Sequence, residues 1–423
     1  MSCLTRRALR RVLPLLGAAA AVLGVSMPSA VADDMRSRQW YLDAMQADAM
    51  WKVSRGENVT VAVLDTGVDS SVPELNGRVL PGMDMSRKSG SAHDDQVGHG
   101  TNMAALIAGR AVGDGIHGIA PEARILPVKT TDDDRMTTDD ELWEKAIRYA
   151  VDHGARVINI SHGGPGELYQ SVRTEAAVKY ALSKGSLIFA SAGNDGGDGN
   201  LPHYPALIPG VVSVGATDRS GTVTKWSNSA SNVTLAASGD EIPGRCNKSE
   251  GWCAGRGTSQ ATAITSAAAA LIWSKHPDWT NNQVLRVMMD TAGKPTTGTV
   301  PSKYIGYGII RPRKVLLDGE GDPGPPDVNP LLGVARSGKA KPDSPASPEA
   351  KGAPAPDKES AAEPATSQEG GNTALWAGVG AAAAVVIAAA TAAVIVQRRR
   401  RAAPVPTTFP VPPPPPYEPG RGQ

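Results

Sequence analysis

Three short motifs carry residue types that could together cleave an acyl bond. Asp65-Thr66-Gly67 follows an apolar, partly β-branched run, residues 59–64. His99-Gly100-Thr101 opens a small, apolar stretch at 102–108 that reads as a helix with the histidine at its start. Gly257-Thr258-Ser259 precedes an alanine-rich run at 260–273. That run places the serine at a helix N-terminus, where unpaired N–H groups and the macrodipole favour developing negative charge. A serine hydroxyl is a weak nucleophile at neutral pH. It needs a base to take its proton, and the base needs a partner that fixes its tautomer. Ser259, His99 and Asp65 supply those roles. Each has a plainer reading alone: Ser259 as an N-cap, and His99 as a structural histidine like His93, His117, His153, His203 and His276. Asp-Thr-Gly also serves aspartic proteases, which need two carboxylates sharing a proton. The nearest second copy, Asp290-Thr291-Ala292, follows a helical pattern and not a strand, so that chemistry is set aside.

These residues need a scaffold, and the chain supplies one between residues 33 and 317. Residues 59–64, 124–129, 156–160, 187–191 and 211–214 are short, mostly apolar runs, the pattern of parallel strands covered on both faces. Helical patterns lie between them. The clearest starts at Thr138-Asp139-Asp140-Glu141, which reads as a capping box. Leu142, Ala146, Ile147 and Ala150 then recur at helical spacing, and Gly154 suits a left-handed cap. Another helix, 176–184, stops at Gly185. Alternating strands and helices predict a doubly wound α/β domain with a mostly parallel central sheet. Asp65 would then sit at the carboxyl end of a strand, the edge where such sheets place their sites.

The flanks differ. Residues 1–32 read as a signal peptide: Arg6, Arg7, Arg10 and Arg11, an apolar stretch, then the small-residue site Ala30-Val31-Ala32. Residues 318–372 are rich in proline, alanine, glycine and charge and read as a disordered linker. Residues 374–396 carry no charge and are long enough as a helix to cross a bilayer. Arg398 to Arg401 follow at once, which predicts a single-pass cell-membrane protein with its domain outside and a basic, then proline-rich tail, 397–423, in the cytoplasm. With 43 lysines and arginines against 42 acidic residues, the charge balance gives no case for a nucleic-acid partner. Of three cysteines, Cys3 lies in the signal segment. Cys246 and Cys253 remain as an even pair, a disulfide if the protein is exported and two free thiols otherwise. Nothing calls for a cofactor or a metal, and the acidic residues 132–134 read as solvated charge rather than a calcium loop.

Residues 61–67, His99-Gly100-Thr101 and the segment 257–261 resemble the three signatures of the subtilisin-like (subtilase) serine proteases, in the chain order Asp–His–Ser. The resemblance spans about residues 40 to 317. It implies peptide-bond hydrolysis through an acyl-enzyme, with Asp65 orienting His99, His99 as general base and then acid, and Ser259 attacking. Ala190-Ser191-Ala192-Gly193-Asn194 resembles the oxyanion-hole segment, with Asn194 and the Ser259 N–H as donors. Asn159-Ile160-Ser161-His162-Gly163-Gly164 resembles the strand that pairs with substrate, so Ser161, His162 and Gly163 are expected to line it. His162 stands where subtilases often have leucine, and is expected either to line a specificity pocket or to face solvent. Gln260 and Ala263 replace the family's methionine and proline, and Ala105 replaces a glycine whose loss could crowd the histidine helix. A signal peptide, subtilase domain, proline-rich linker and C-terminal span resemble the mycosins, the subtilases associated with type VII secretion in actinobacteria. The start of their mature domain is similar to Gln39-Trp40-Tyr41-Leu42-Asp43-Ala44. About 26 residues separate the signal site from the first strand, too few for a folded inhibitory prodomain. The expected function is a membrane-anchored extracellular endopeptidase acting on peptide or protein substrates. The alternative is a structural subtilase that stabilises a secretion complex without proteolysis.

Overall fold

The computed structural model describes residues 35–87, 90–113, 115–133, 139–165, 172–246 and 251–333. The expected signal peptide, membrane span and tail lie outside these residues. Among the described residues no helix is long and apolar enough to cross a membrane.

Three short helices, α1 (Met35–Arg38), α2 (Trp40–Met45) and α3 (Ala47–Met50), lead into the first strand, β1 (Thr60–Asp65). The chain continues through β2 (Met83–Asp84), α4 (His99–Ala108), β3 (Arg124–Lys129), α5 (Asp140–Asp152) and β4 (Val157–Ile160). After β5 (Gly164–Pro165) come α6 (Val172–Lys184), β6 (Leu187–Ser191), β7 (His203–Tyr204), β8 (Val212–Thr217) and β9 (Val233–Ser238). A hairpin of β10 (Ile242–Arg245) and β11 (Trp252–Gly255) precedes α7 (Thr258–Lys275), α8 (Asn281–Thr291) and α9 (Pro312–Leu316).

The central sheet has the order β2-β3-β1-β4-β6-β8-β9, with every neighbouring pair parallel. The alternation of side chains along each strand divides the core into two layers. Val61, Val63, Val157, Leu187 and Phe189 pack on the face covered by α4, α7 and α8. Ala62, Leu64, Ile158, Ile160 and Ile188 pack on the opposite face, against Trp143, Ala146 and Ile147 of α5 and Ala177 and Val178 of α6. Strand order reverses at β1, which has β3 on one side and β4 on the other. That reversal opens a crevice at the carboxyl edge, and Asp65 is the residue that stands in it.

Two local expectations are met with small shifts. The cap of α5 is Asp139, whose carboxylate accepts the N–H groups of Glu141 and Leu142. Gly154 and Gly185, just beyond α5 and α6, take positive φ of 80° and 91°, which a glycine adopts without strain. One segment differs from its composition. Residues 318–333, read from sequence as the start of the linker, are held against α8. Arg286 donates to the carbonyls of Pro323 (3.1 Å) and Val328 (2.7 Å), and Asn282 and Gln283 donate to those of Pro326 and Gly324.

Candidate active site

Asp65 is fully buried at the end of β1. Its Oδ1 accepts from the Thr66 N–H (2.8 Å) and lies 2.7 Å from His99 Nδ1 and 2.9 Å from His162 Nε2. The other oxygen, Oδ2, is buried without a hydrogen-bond partner among the described residues. Burial alone would raise the Asp65 pKa. The imidazoles of His162 and His99, through charge and hydrogen bonding, outweigh it and hold the carboxyl well below the usual carboxylate range. The close approach of α4 to this strand needs Gly100, because a Cβ there would sit 2.1 Å from the Gly67 carbonyl oxygen and 3.0 Å from Asp65 Cβ.

His99 is the first residue of α4, and the residue before it, Gly98, offers no side-chain cap. Asp95 takes over that task. Its Oδ1 accepts from the N–H groups of Val97 (3.2 Å) and Gly98 (2.8 Å), and its Oδ2 from the N–H (2.9 Å) and hydroxyl (2.6 Å) of Thr101. Oδ1 also accepts the hydroxyl of Thr66 (2.7 Å), whose oxygen in turn accepts the Gly100 N–H (3.0 Å). Asp95 and Thr66 thus tie the aspartate loop to the histidine helix. The sequence reading missed both. An acid four residues ahead of the helix's first residue is the signal that could have found Asp95.

Ser259 lies in the first turn of α7 and is 7% exposed. Its hydroxyl donates to the Ser161 carbonyl (2.9 Å), while the Ser161 hydroxyl reaches the Ser259 carbonyl (3.2 Å). Asn159 steadies the pair: its amide donates to Ser161 Oγ (3.0 Å) and its Oδ1 accepts from Ser266 Oγ (3.1 Å). The sequence reading missed Asn159 as a support. A nucleophilic role for Ser259 would therefore require its hydroxyl to turn away from Ser161. Asn194 follows β6. Its Oδ1 accepts from the Thr258 N–H (2.8 Å) and hydroxyl (3.0 Å). A backbone N–H can only donate, so the atom facing it is the oxygen and not the nitrogen. The Asn194 N–H2 group, on an exposed residue beside the start of α7, makes no hydrogen bond among the described residues.

The segment after β4 holds the clearest departure from expectation. Ser161, His162 and Gly163 are expected to line substrate, but His162 is only 8% exposed and its ring is turned onto Asp65. It lies against the His99 ring with centroids 4.7 Å apart. Its side chain is therefore unavailable to a specificity pocket. The Ser161 side chain is likewise bound to the start of α7, and Gly163 is packed against the Tyr204 carbonyl.

Beside His99, α4 and the β10–β11 hairpin enclose a cavity of about 320 Å³, bordered by Asn102, Leu106, Arg256 and Gln260. A disulfide between Cys246 and Cys253 closes the hairpin, with Cα atoms 5.1 Å apart. Arg245 anchors it to the body through a two-bond contact with the buried Glu74 (2.7 and 2.6 Å).

Comparison with known proteins identifies the family. The model of the Subtilase family matches residues 56–308. The chain belongs to the subtilase family. Subtilisin E of Bacillus subtilis strain 168 is 36% identical over 258 residues, 60% of this chain. The chain spans 65% of the length of that relative. Among solved structures, MycP1 from Mycobacterium smegmatis is 28% identical with a TM-score of 0.59, covering 68% of this chain and 86% of its own. The MycP3 protease from the type VII (ESX-3) secretion system is 32% identical with a TM-score of 0.58, covering 66% and 87%.

This subtilase absorbs its departures from the family pattern without breaking a helix. Ala105 is buried in an α4 that runs unbroken to Ala108, and Ala263 is buried in an α7 that runs unbroken to Lys275. Gln260 borders the cavity beside His99, and its Oε1 is buried without a hydrogen-bond partner among the described residues.

Proposed function

We propose that this subtilase hydrolyses peptide bonds through an acyl-enzyme on Ser259. The observation that carries the reading is the 2.7 Å contact between His99 Nδ1 and the buried Asp65 Oδ1. A permanent acceptor at that distance keeps the proton on Nδ1, which makes Nε2 the basic nitrogen. His99 takes the Ser259 proton as Oγ bonds to the scissile carbonyl carbon. It then gives that proton to the leaving amine as the C–N bond breaks. Water repeats the sequence on the ester and frees the serine. The imidazolium formed in each half is stabilised by Asp65, which the neighbouring imidazoles keep ionised despite its burial. The oxyanion is met by the Asn194 N–H2 group and the Ser259 N–H, fixed beforehand because Thr258 holds the other end of the Asn194 amide.

We further assign this activity to the outer face of a cell membrane, with residues 374–396 as the anchor and type VII secretion as the setting. The support is the uncharged segment followed by four arginines, together with the likeness to MycP1 and MycP3. The full chain is treated with a fluorophosphonate probe, and labelling at Ser259 is expected. A folded sample that takes no label, or takes label elsewhere, refutes the proposal.

A further inference from the structure

The catalytic carboxylate serves two imidazoles, and the proposed reaction uses only one of them. His162 Nε2 and His99 Nδ1 both lie against Asp65 Oδ1, at 2.9 and 2.7 Å. One ligand atom from each of the three side chains falls within 4.8 Å of the others. Two imidazoles and a carboxylate are a donor set suited to a borderline divalent cation such as Zn²⁺. A second observation bears on the same oxygen: Asp65 is fully buried, and among the described residues both imidazoles and the Thr66 N–H and hydroxyl converge on its Oδ1. A hydrogen-bonded carboxylate does not need two histidines. A cation between the three side chains would meet the charge of the carboxylate without relying on a proton.

We propose that Asp65, His99 and His162 form an inhibitory binding site for Zn²⁺ or a cation of similar chemistry. Ligand bonds of 2.0–2.1 Å in a tetrahedral site separate the ligand atoms by about 3.3 Å. The two nitrogens therefore need to draw back from Oδ1 by about half an ångström. The fourth position is left to water. The metal ion takes His99 Nδ1, and the single proton of the ring moves to Nε2. His99 then can neither donate to Asp65 nor accept the Ser259 proton, so cation binding and hydrolysis exclude each other. Return of the proton, on removal of the ion, restores the resting arrangement. His162 is the residue that makes the site: without it, one histidine and one carboxylate remain.

The inhibition rests on the proposed role of Asp65 and His99 in hydrolysis, but the binding does not. Binding is therefore measured first, on the full chain carrying Ser259→Ala, by equilibrium dialysis with Zn²⁺ and by the visible absorption of Co²⁺. One ion per chain in low-symmetry, nitrogen-containing coordination is expected. Adding His162→Gln, which can still donate to Asp65 but is a poor ligand, should weaken that binding at least tenfold, because even the loss of an outer hydrogen-bond partner costs a metal site 10–100-fold. His162→Leu gives the same test if the glutamine variant fails to fold. In the chain with Ser259 intact, Zn²⁺ should inhibit reversibly, with chelator restoring the rate. The half-inhibiting concentration should rise at least tenfold in either His162 variant, measured against that variant's own zinc-free rate. Binding or inhibition that is unchanged by both substitutions overturns the proposal, as does no binding at millimolar Zn²⁺. Binding lost with His162 in a chain that hydrolyses nothing when zinc-free would leave the site standing and sink the proposed function instead.

Discussion

Asp95 touches no substrate, yet replacing it should damage the site more than its partly buried position suggests. It accepts five hydrogen bonds, and every one comes from a group that can only donate there: two N–H groups and the Thr66 hydroxyl on Oδ1, and the Thr101 N–H and hydroxyl on Oδ2. In Asp95→Ala the N–H groups at the start of α4 turn to water, with the loss of about 1 kcal/mol typical of an N-cap. The hydroxyls of Thr66 and Thr101 are buried. Thr66 keeps a longer contact to Asp65 Oδ1 (3.3 Å), so the orphaned donor is chiefly the Thr101 hydroxyl, and at about 1–3 kcal/mol for a buried polar group the total comes to about 2–4 kcal/mol. Asp95→Asn is the sharper test. Its single oxygen can serve one set of donors, and its N–H2 group then faces the other set. The nominally conservative change should therefore destabilise by at least 2 kcal/mol. Urea unfolding of both variants measures this. Hydrolysis of a peptide substrate should show kcat falling further than KM rises, because what is lost is the placement of His99 relative to Asp65. If Asp95→Asn unfolds within 0.5 kcal/mol of the parent and keeps its kcat, the tie between the aspartate loop and the histidine helix has been misread.

Three further outcomes follow from the same geometry. Asn194→Ala should lower kcat by about 10²–10³, with KM little changed; that range was measured in subtilisin, a relative, and is not computed from these distances. Removing the disulfide by the double change Cys246→Ser and Cys253→Ser should cost about 2–3 kcal/mol, by the chain-entropy estimate for so short a loop. It should also raise KM more than it lowers kcat, because the freed hairpin borders the cavity beside His99. Tyr41 is fully buried, and burial pushes its pKa up, with the Gln39 hydrogen bond opposing only in part. The unfolded chain releases this proton near pH 10 while the folded chain still holds it. Stability conferred by the neutral phenol therefore falls as pH rises past about 10, and Tyr41→Phe should flatten the fall in unfolding free energy measured from pH 8 to 11.

Much of the scaffold was legible because parallel strands buried on both faces leave continuous apolar runs. The run at 124–129 is β3 and that at 187–191 is β6, without a shift, and 59–64 differs from β1 by one residue. What escaped the sequence lacked that signature. β9, Val-Thr-Leu-Ala-Ala-Ser, carries small residues of low strand preference and is held in place by pairing with β8. β10 contains Pro243 and Gly244, which normally mark a turn. Composition also misjudged residues 318–333, since it counts the apolar surface a segment can bury. Here the carbonyl oxygens of the segment are taken by Arg286, Gln283 and Asn282, polar side chains on another element. No local count of hydrophobicity can register a partner contributed from outside the window.

The site shows the same boundary more sharply at His162. Types and spacing singled out Asp65, His99, Ser259 and Asn194 as candidates, because the proposed reaction itself restricts which groups can fill those roles. Nothing in the reaction asks for a second imidazole. The expectation for His162 came from the likeness of its segment to the family's substrate strand, and strand geometry directs a side chain only while the ladder lasts. The register pairs Leu64 with Ile160, and there the β1–β4 ladder ends. Beyond it Ser161 is committed to the start of α7, by exchange of hydrogen bonds with Ser259. The chain past Ser161 is free of the pleat, so the His162 ring can fold back over the sheet edge to the neighbouring strand's terminal residue. A leucine there would have no reason to do so, since it gains nothing from a buried carboxylate. The polar character of one side chain, acting where strand geometry stops constraining direction, converts a residue expected to face substrate into one that shares the catalytic aspartate.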